Sequence, residues 1–363
     1  MRRPLTCQLS MYPDYLHQEM GLDFSEPFHT DPVYRNQKWK EVVRWVRQRF
    51  GRWGCGAEDP PDAYSVTTLD SVHFTAYLFG SKVSYWSDRF PDTHDYPLNG
   101  LRDLRFFRRS MTQAEARIQL VVDEARRLVD RFGPEKVVIP YYAAEDIVMC
   151  DLEITHCPLT ISYRLLGERL LLEMYDNPEG LEHLFSEVLL LSLELGERFR
   201  EVVGRRRPKG ACVGACASCF LGPDLFRQYL LPRVIEFAAG RPLLFHACGN
   251  VNSLFKVFEE MAAKSQVKVF DCREEAGIDL QRAAKAFPHA TISYMFSPPA
   301  CLSRTAGEMR EAIREVIRRT EDRPVHLIIN LPAGTKDEIV DAFFETCVEL
   351  GVELPEDAGF AFA

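Results

Sequence analysis

The chain has 363 residues, 46% hydrophobic and 27% charged, with 21 Gly and 22 Pro, which excludes collagen-like and wholly disordered classes. Its 53 acidic against 44 basic residues give a net charge of −9, which argues against a nucleic-acid binder. The 11 cysteines accompany an N-terminus without an apolar signal region and a chain without a membrane-spanning run, so a cytoplasmic protein with free thiols is expected.

In chain order, Asp31 and Pro32 open an amphipathic helix with Trp39, Val42, Val43, Val46 and Phe50 on one face, closed by Gly51. Trp39 and Trp45 read as helix packing. Residues 54–64 read as a loop. The run YSVTTLDSVHF reads as a strand with Asp70 and His73 near its end, where both become candidates for substrate contact. Residues 86–105, with Asp88, form a second loop. Thr112 and Glu115 read as a capping box for a helix that stops at Gly133. KVVIPYY reads as a strand, with Asp146 and Cys150 beyond it. His156 and Cys157 read as packing. Asn177 and Pro178 cap a helix running to about Val203, and the basic residues 205–207 with Lys209 read as a solvated turn.

From about Lys209 onward, apolar runs alternate with helical patterns in about five β/α units of roughly 28 residues. The strands are GACVG, PLLFH, VKVFD, ATISYMF and PVHLIIN. The helices are 223–237, 251–263, 280–287, 306–320 and 336–350. Continuously apolar strands fit a parallel sheet buried on both faces. The expected fold is a (β/α)8 TIM barrel over residues 61–363, with residues 1–60 as an N-terminal helical extension in a single domain. A doubly wound open sheet is the alternative, but no GxGxxG or P-loop is present.

Active residues of parallel barrels lie at the C-terminal ends of strands. That rule selects His246, Cys248 and Asn250; Asp271, Cys272 and Glu274; Ser297 and Cys301; Asn330; and Cys212, Cys216 and Cys219. His246 and Cys248 are alternate residues on an extended segment and face the same way. Imidazole and thiolate suit zinc, which needs three protein ligands in a catalytic site. A buried histidine beside a buried thiol is the plainer reading. The spacing C-x3-C-x2-C at 212–219 also matches iron–sulfur loops, though those lie near a domain's start.

The stretch GACASCFLGPDLFRQYLLPRVIEFAAGRPLLFHACGNVNSLF resembles the uroporphyrinogen decarboxylase superfamily, on Gly222, Pro223, Phe226, Pro232 and the H-x-C-G-N run His246, Cys248, Gly249 and Asn250. The likeness extends over roughly residues 30–355. It implies the (β/α)8 fold, and a homodimer is among its implications. The family's R-Q-A-G-R carboxylate clamp has no counterpart in MYPDYLHQEMG. The H-x-C-G run resembles the cobamide-dependent methyltransferase branch. That resemblance implies a zinc ion on His246, Cys248 and a third ligand, a methyl donor or thiol acceptor, and a corrinoid carried by a partner protein. In that branch the third ligand is a cysteine after the last strand, where Ala333 stands here. Cys272 is the favoured substitute, with Cys216, Cys219 and Cys301 as alternatives and Glu274 or Asp271 behind them. Asn250 and Asn330 are expected to join Asp70 and His73 in substrate binding. The rival expectations are a metal-free decarboxylase and a non-catalytic barrel holding a corrinoid or tetrapyrrole.

Overall fold

The computed structural model describes residues 5–143, 149, 151–320, 323–352, 354 and 360–362; Asp146 and Cys150 lie outside the described residues. Its strands are β1 (Leu5–Met11), β2 (Tyr64–Ser65), β3 (Val83–Ser84), β4 (Asp92–Thr93), β5 (Val137–Val138), β6 (Tyr142–Ala143), β7 (Leu152–His156), β8 (Gly210–Gly214), β9 (Pro242–Ala247), β10 (Gln266–Arg273), β11 (Thr291–Met295), β12 (Val325–Leu331) and β13 (Phe360–Phe362). The main sheet runs β13-β1-β12-β11-β10-β9-β8-β7-β6. Its pairs are parallel except β6 with β7. Eight parallel strands thus curl into a TIM-barrel-like wall with helices as crossovers, as parallel connections require.

The expected helices from β8 onward are present, at Leu231–Ala238, Phe255–Lys264, Leu280–Ala286, Ala306–Arg319 and Asp337–Glu349. The first of them opens at Pro223, and its path widens to an i→i−5 turn over Phe226–Leu230, just ahead of Pro232, which lacks an N–H to donate. Upstream, helix Pro32–Phe50 is capped by the Asp31 carboxylate, and helix Pro178–Val202 by Asn177.

Three expectations are corrected. Residues 1–60 are not only helical, because β1 pairs with β12 over seven positions from Leu5↔Val325 to Met11↔Leu331. Cys7, Leu9 and Met11 carry a period-2 signal there that the short flanking segments obscure. A boundary at residue 61 therefore cuts through the sheet. The run 64–74 is strand only at Tyr64–Ser65; Asp70 instead caps helix Ser71–Leu78 by accepting from Val72 N and His73 N. Helix Ala114–Phe132 has no capping box at Thr112, whose hydroxyl accepts from Ala114 N and donates to Arg109 O; the reciprocal box occurs at Thr305 and Glu308.

The two faces of the wall differ. Outward, Phe245 and Phe270 meet helix residues Phe258 and Phe287, with ring centroids 5.3 Å apart for Phe245–Phe258 and 4.8 Å for Phe270–Phe287. Burying such rings stabilises the sheet–helix contact by about 1.5–3 kcal/mol each. Inward, Ile154, Leu244, Val269 and Cys212 form an apolar floor. No helix among the described residues is long and apolar enough to cross a membrane.

Candidate active site

Two residues beyond that floor on β7 to β10, and onward across β11, β12 and β1, the sheet register aligns His156, Gly214, His246, Asp271, Ser293, His326 and Thr6 in one cross-strand row. Strand alternation places all of them on the inner face. Buried polar groups are tolerated only when hydrogen-bonded, and this row is connected. His246 Nδ1 lies 2.5 Å from Asp271 Oδ2, and Ser293 Oγ donates to Asp271 Oδ1 at 2.5 Å. His326 pairs with Thr6 at 2.9 Å and Gln8 at 3.1 Å. Gly214 is the gap in the row. A Cβ there would stand 2.5 Å from His156 Cδ2 and 2.8 Å from its Nε2, so the glycine makes room for that ring.

A further two residues along lie Cys216, Cys248 and Arg273. The ligand atoms of Cys216, His246 and Cys248 lie within 4.8 Å of one another, the one such group of three found among the described residues. The backbone explains the convergence: β8 pairs with β9, Ala215 N donates to the His246 carbonyl at 2.8 Å, and the turn at Cys216–Phe220 brings the thiol back over the strand end. The hydrogen bond from Cys216 holds Cys248 well below the ordinary thiol range, against burial and with help from His246. Cys216 is pushed up by the same bond and by burial, so the pair holds one proton, on Cys216. Burial lowers the His246 pKa, but the bonds to Asp271 and Cys248 outweigh it and raise the pKa to about 9.

Cys272 does not join this group. Its neighbour Asp271 pairs with His246, so Cys272 falls on the opposite face, fully buried, with its thiol donating to Ser293 O at 3.5 Å. Cys219 turns its thiol to Cys216 O at 3.4 Å. Cys301 is buried, and Glu274 is engaged by Arg304 and Ser297 N.

A cavity of about 620 Å³ is walled by Tyr12, Phe24, Phe28, Trp39 and Phe90, with Asp70, His73 and Arg273 on its lining; the three cluster residues do not line it, and Arg273, whose charge acts on Cys248, links the two. Two of the four expected substrate contacts therefore face it. His73, lowered chiefly by burial, bonds Thr93 at 3.1 Å. Asn250 is exposed and caps its own turn by accepting from Asn252 N, and Asn330 is fully buried beside Met295 Sδ at 3.4 Å; neither lines the cavity. Trp39, expected to be pure packing, is on the wall.

Sequence reading missed His156. Its Nδ1 lies 2.7 Å from Ser71 Oγ, and its Nε2 faces the space over Gly214. Burial lowers its pKa, and it senses the charges of His246 and Cys248. The available signal was its position at a strand end, equivalent to that of His246.

The family model for uroporphyrinogen decarboxylase (URO-D) matches residues 65–350. The chain belongs to the uroporphyrinogen decarboxylase family. Among solved structures, a methyltransferase from Methanosarcina mazei aligns with a TM-score of 0.61 at 16% identity, over 97% of this chain and 95% of that one, which shows a shared fold. A B12-independent methionine synthase from Shewanella sp. W3-18-1 in complex with selenomethionine aligns over 95% of this chain and 96% of that one, at a TM-score of 0.47 and 11% identity. No curated protein matches the chain. The uroporphyrinogen decarboxylase match contains all three cluster residues, whereas Tyr12, Phe24, Phe28 and Trp39 of the cavity wall precede it.

Proposed function

We propose that this member of the uroporphyrinogen decarboxylase family is a zinc-dependent methyltransferase. It moves a methyl group between a thiol or methoxy substrate and a corrinoid carried by a partner protein, in a reducing cytoplasm. The observation that carries this reading is the convergence of Cys216, His246 and Cys248, which Arg273 links to a large cavity. Two sulfurs and an imidazole form a donor set suited to zinc, and three protein ligands leave one position for substrate. A ligating histidine characteristically gives its other ring nitrogen to a carboxylate, and Asp271 stands in that place. The fold shared with the Methanosarcina methyltransferase supports the same reading.

When bound, zinc would supply Lewis acidity, favouring the thiolate of a thiol substrate or polarising an ether oxygen. The chain's own residues do the rest. Cys216, His246 and Cys248 hold the ion, Asp271 fixes the ring of His246, and Ser293 fixes Asp271. The apolar floor closes the site from below, and the aromatic walls orient substrate and exclude water. His156 presents a neutral imidazole at the edge of the site.

Metal analysis of the purified protein tests this. Near one equivalent of zinc is expected, and it should vanish in the His246→Ala/Cys248→Ala variant while circular dichroism is retained. Protein that stays metal-free after zinc reconstitution, or that consumes uroporphyrinogen without metal, overturns the proposal.

A further inference from the structure

The charged groups that line the cavity are not equally committed. The Arg35 guanidinium donates to the carbonyls of Phe28 at 3.0 Å and His29 at 2.8 Å, and to that of Ser65. The Asp70 carboxylate accepts two backbone N–H groups of the helix it caps. Burial keeps His29 neutral, with its pKa lowered to about 4. Arg273 is different. Its Nη1 reaches the Tyr12 hydroxyl at 3.5 Å, and the Glu275 carboxylate stands off at 3.9 Å. The Nε of each arginine is buried without a hydrogen-bond partner among the described residues, so the difference lies at the Nη atoms: three bonds to carbonyls from Arg35, one long bond to a hydroxyl from Arg273. A guanidinium carries five N–H donors in a planar fork, and most of these remain unmet.

Its position follows from the same alternation that builds the cluster. Arg273 is two residues beyond Asp271 on β10, so it emerges on the inner face at the cavity's cluster end. It is close enough to favour the thiolate of Cys248. From there the cavity extends between aromatic rings, with Phe24 and Phe28 at a centroid distance of 4.8 Å and Tyr12 and Phe90 at 6.2 Å. The Cys248 and Glu275 charges already offset the cation, but donors left unmet at a cavity wall suit a further acceptor, best an anion, and a ring-lined wall takes an apolar, planar body.

We propose that the substrate is a small aromatic acid whose carboxylate is held by Arg273 while its ring lies among Phe24, Phe28 and Phe90. This rests on the cavity being the substrate pocket of the proposed methyltransferase, but its test needs no turnover. Charge-assisted bonds to a carboxylate set the expected discrimination.

The test is binding of benzoate, benzyl alcohol and acetate to the full chain, by calorimetry and by quenching of tryptophan fluorescence. Each titration is run with zinc-loaded and chelator-treated protein. Benzoate should bind about 10- to 100-fold more tightly than benzyl alcohol. The preference should collapse in Arg273→Gln and be partly restored in Arg273→Lys, which separates lost charge from lost folding. It should survive chelation, so failure of the zinc reading leaves this result intact. Equal binding of benzoate and benzyl alcohol overturns the proposal. So does a preference that persists in Arg273→Gln but disappears with zinc, which would assign the acid to the metal. Acetate binding as tightly as benzoate overturns the aromatic part.

Discussion

Adjacent residues on β9 and β10 do opposite jobs. Phe245 and Phe270 face outward into a ring-on-ring contact with helices, while His246 and Asp271 face inward and meet each other at 2.5 Å. The two faces differ by one residue of register, about 3.3 Å of chain. Outside, burial is non-directional and rewards any apolar side chain that fits. Inside, each polar atom needs a specific partner, because an unpaired one costs about 1–3 kcal/mol. Position at a strand end therefore does not decide which residue can serve a metal; the parity of its face does.

The pair Cys216 and Cys272 gives the largest expected break in that comparison. Cys216→Ser removes a proposed ligand, and zinc affinity should fall by more than about 100-fold, since loss of an outer partner alone costs about 10- to 100-fold. Cys272→Ser should leave zinc stoichiometry unchanged and cost about 1–3 kcal/mol of stability, from placing a hydroxyl on the packed face. Zinc titration with a chelating competitor and urea denaturation separate the two. Loss of zinc in Cys272→Ser with retention in Cys216→Ser would reverse the assignment.

Phe270→Ala sharpens the comparison from the other face. The ring is fully buried against Phe245, Phe258 and Phe287. Its removal should cost about 3–5 kcal/mol of stability. The folded fraction should still bind zinc with wild-type stoichiometry, measured on the monodisperse peak after gel filtration. A loss of zinc in that peak would show that the faces are coupled through the strand.

Much of this architecture was legible. The alternation from Lys209 onward gave the β/α units, because their strands and helices carry strong periods and clear punctuation. His246 and Cys248 were legible for the same reason. Cys216 was named but not favoured, because pairing of β8 with β9 brings it across a space that sequence spacing does not encode. Cys272 was favoured for being near a strand end, without counting its parity against His246. β1 was missed because its partner, β12, lies some 320 residues away, as with Thr6 and His326. His156 was read as packing because Ser71 and Gly214, which define its place, are remote in sequence.

The smallest expected effect concerns the cost of the inner row itself. His326 is 1% exposed, and burial lowers its pKa from 6.5 to about 4, against a small opposing pull from Asp271. Gln8 Oε1 can only accept, so Nε2 carries the hydrogen and Nδ1 accepts from Thr6. Between pH 4 and 6.5 the unfolded chain binds a proton at this residue that the folded chain refuses. Stability is therefore full above about 6.5 and falls as pH drops toward 4, by at most about 1.4 kcal/mol per pH unit for this group. His29 adds a parallel contribution, since burial lowers its pKa to about 4 as well. Urea denaturation at several pH values should show this slope in the wild type and a shallower one in His326→Gln, with the difference confined to the acid side of neutrality. Identical slopes would mean that His326 ionises as freely inside the barrel as in water, and that the inner row is wetter than its burial requires.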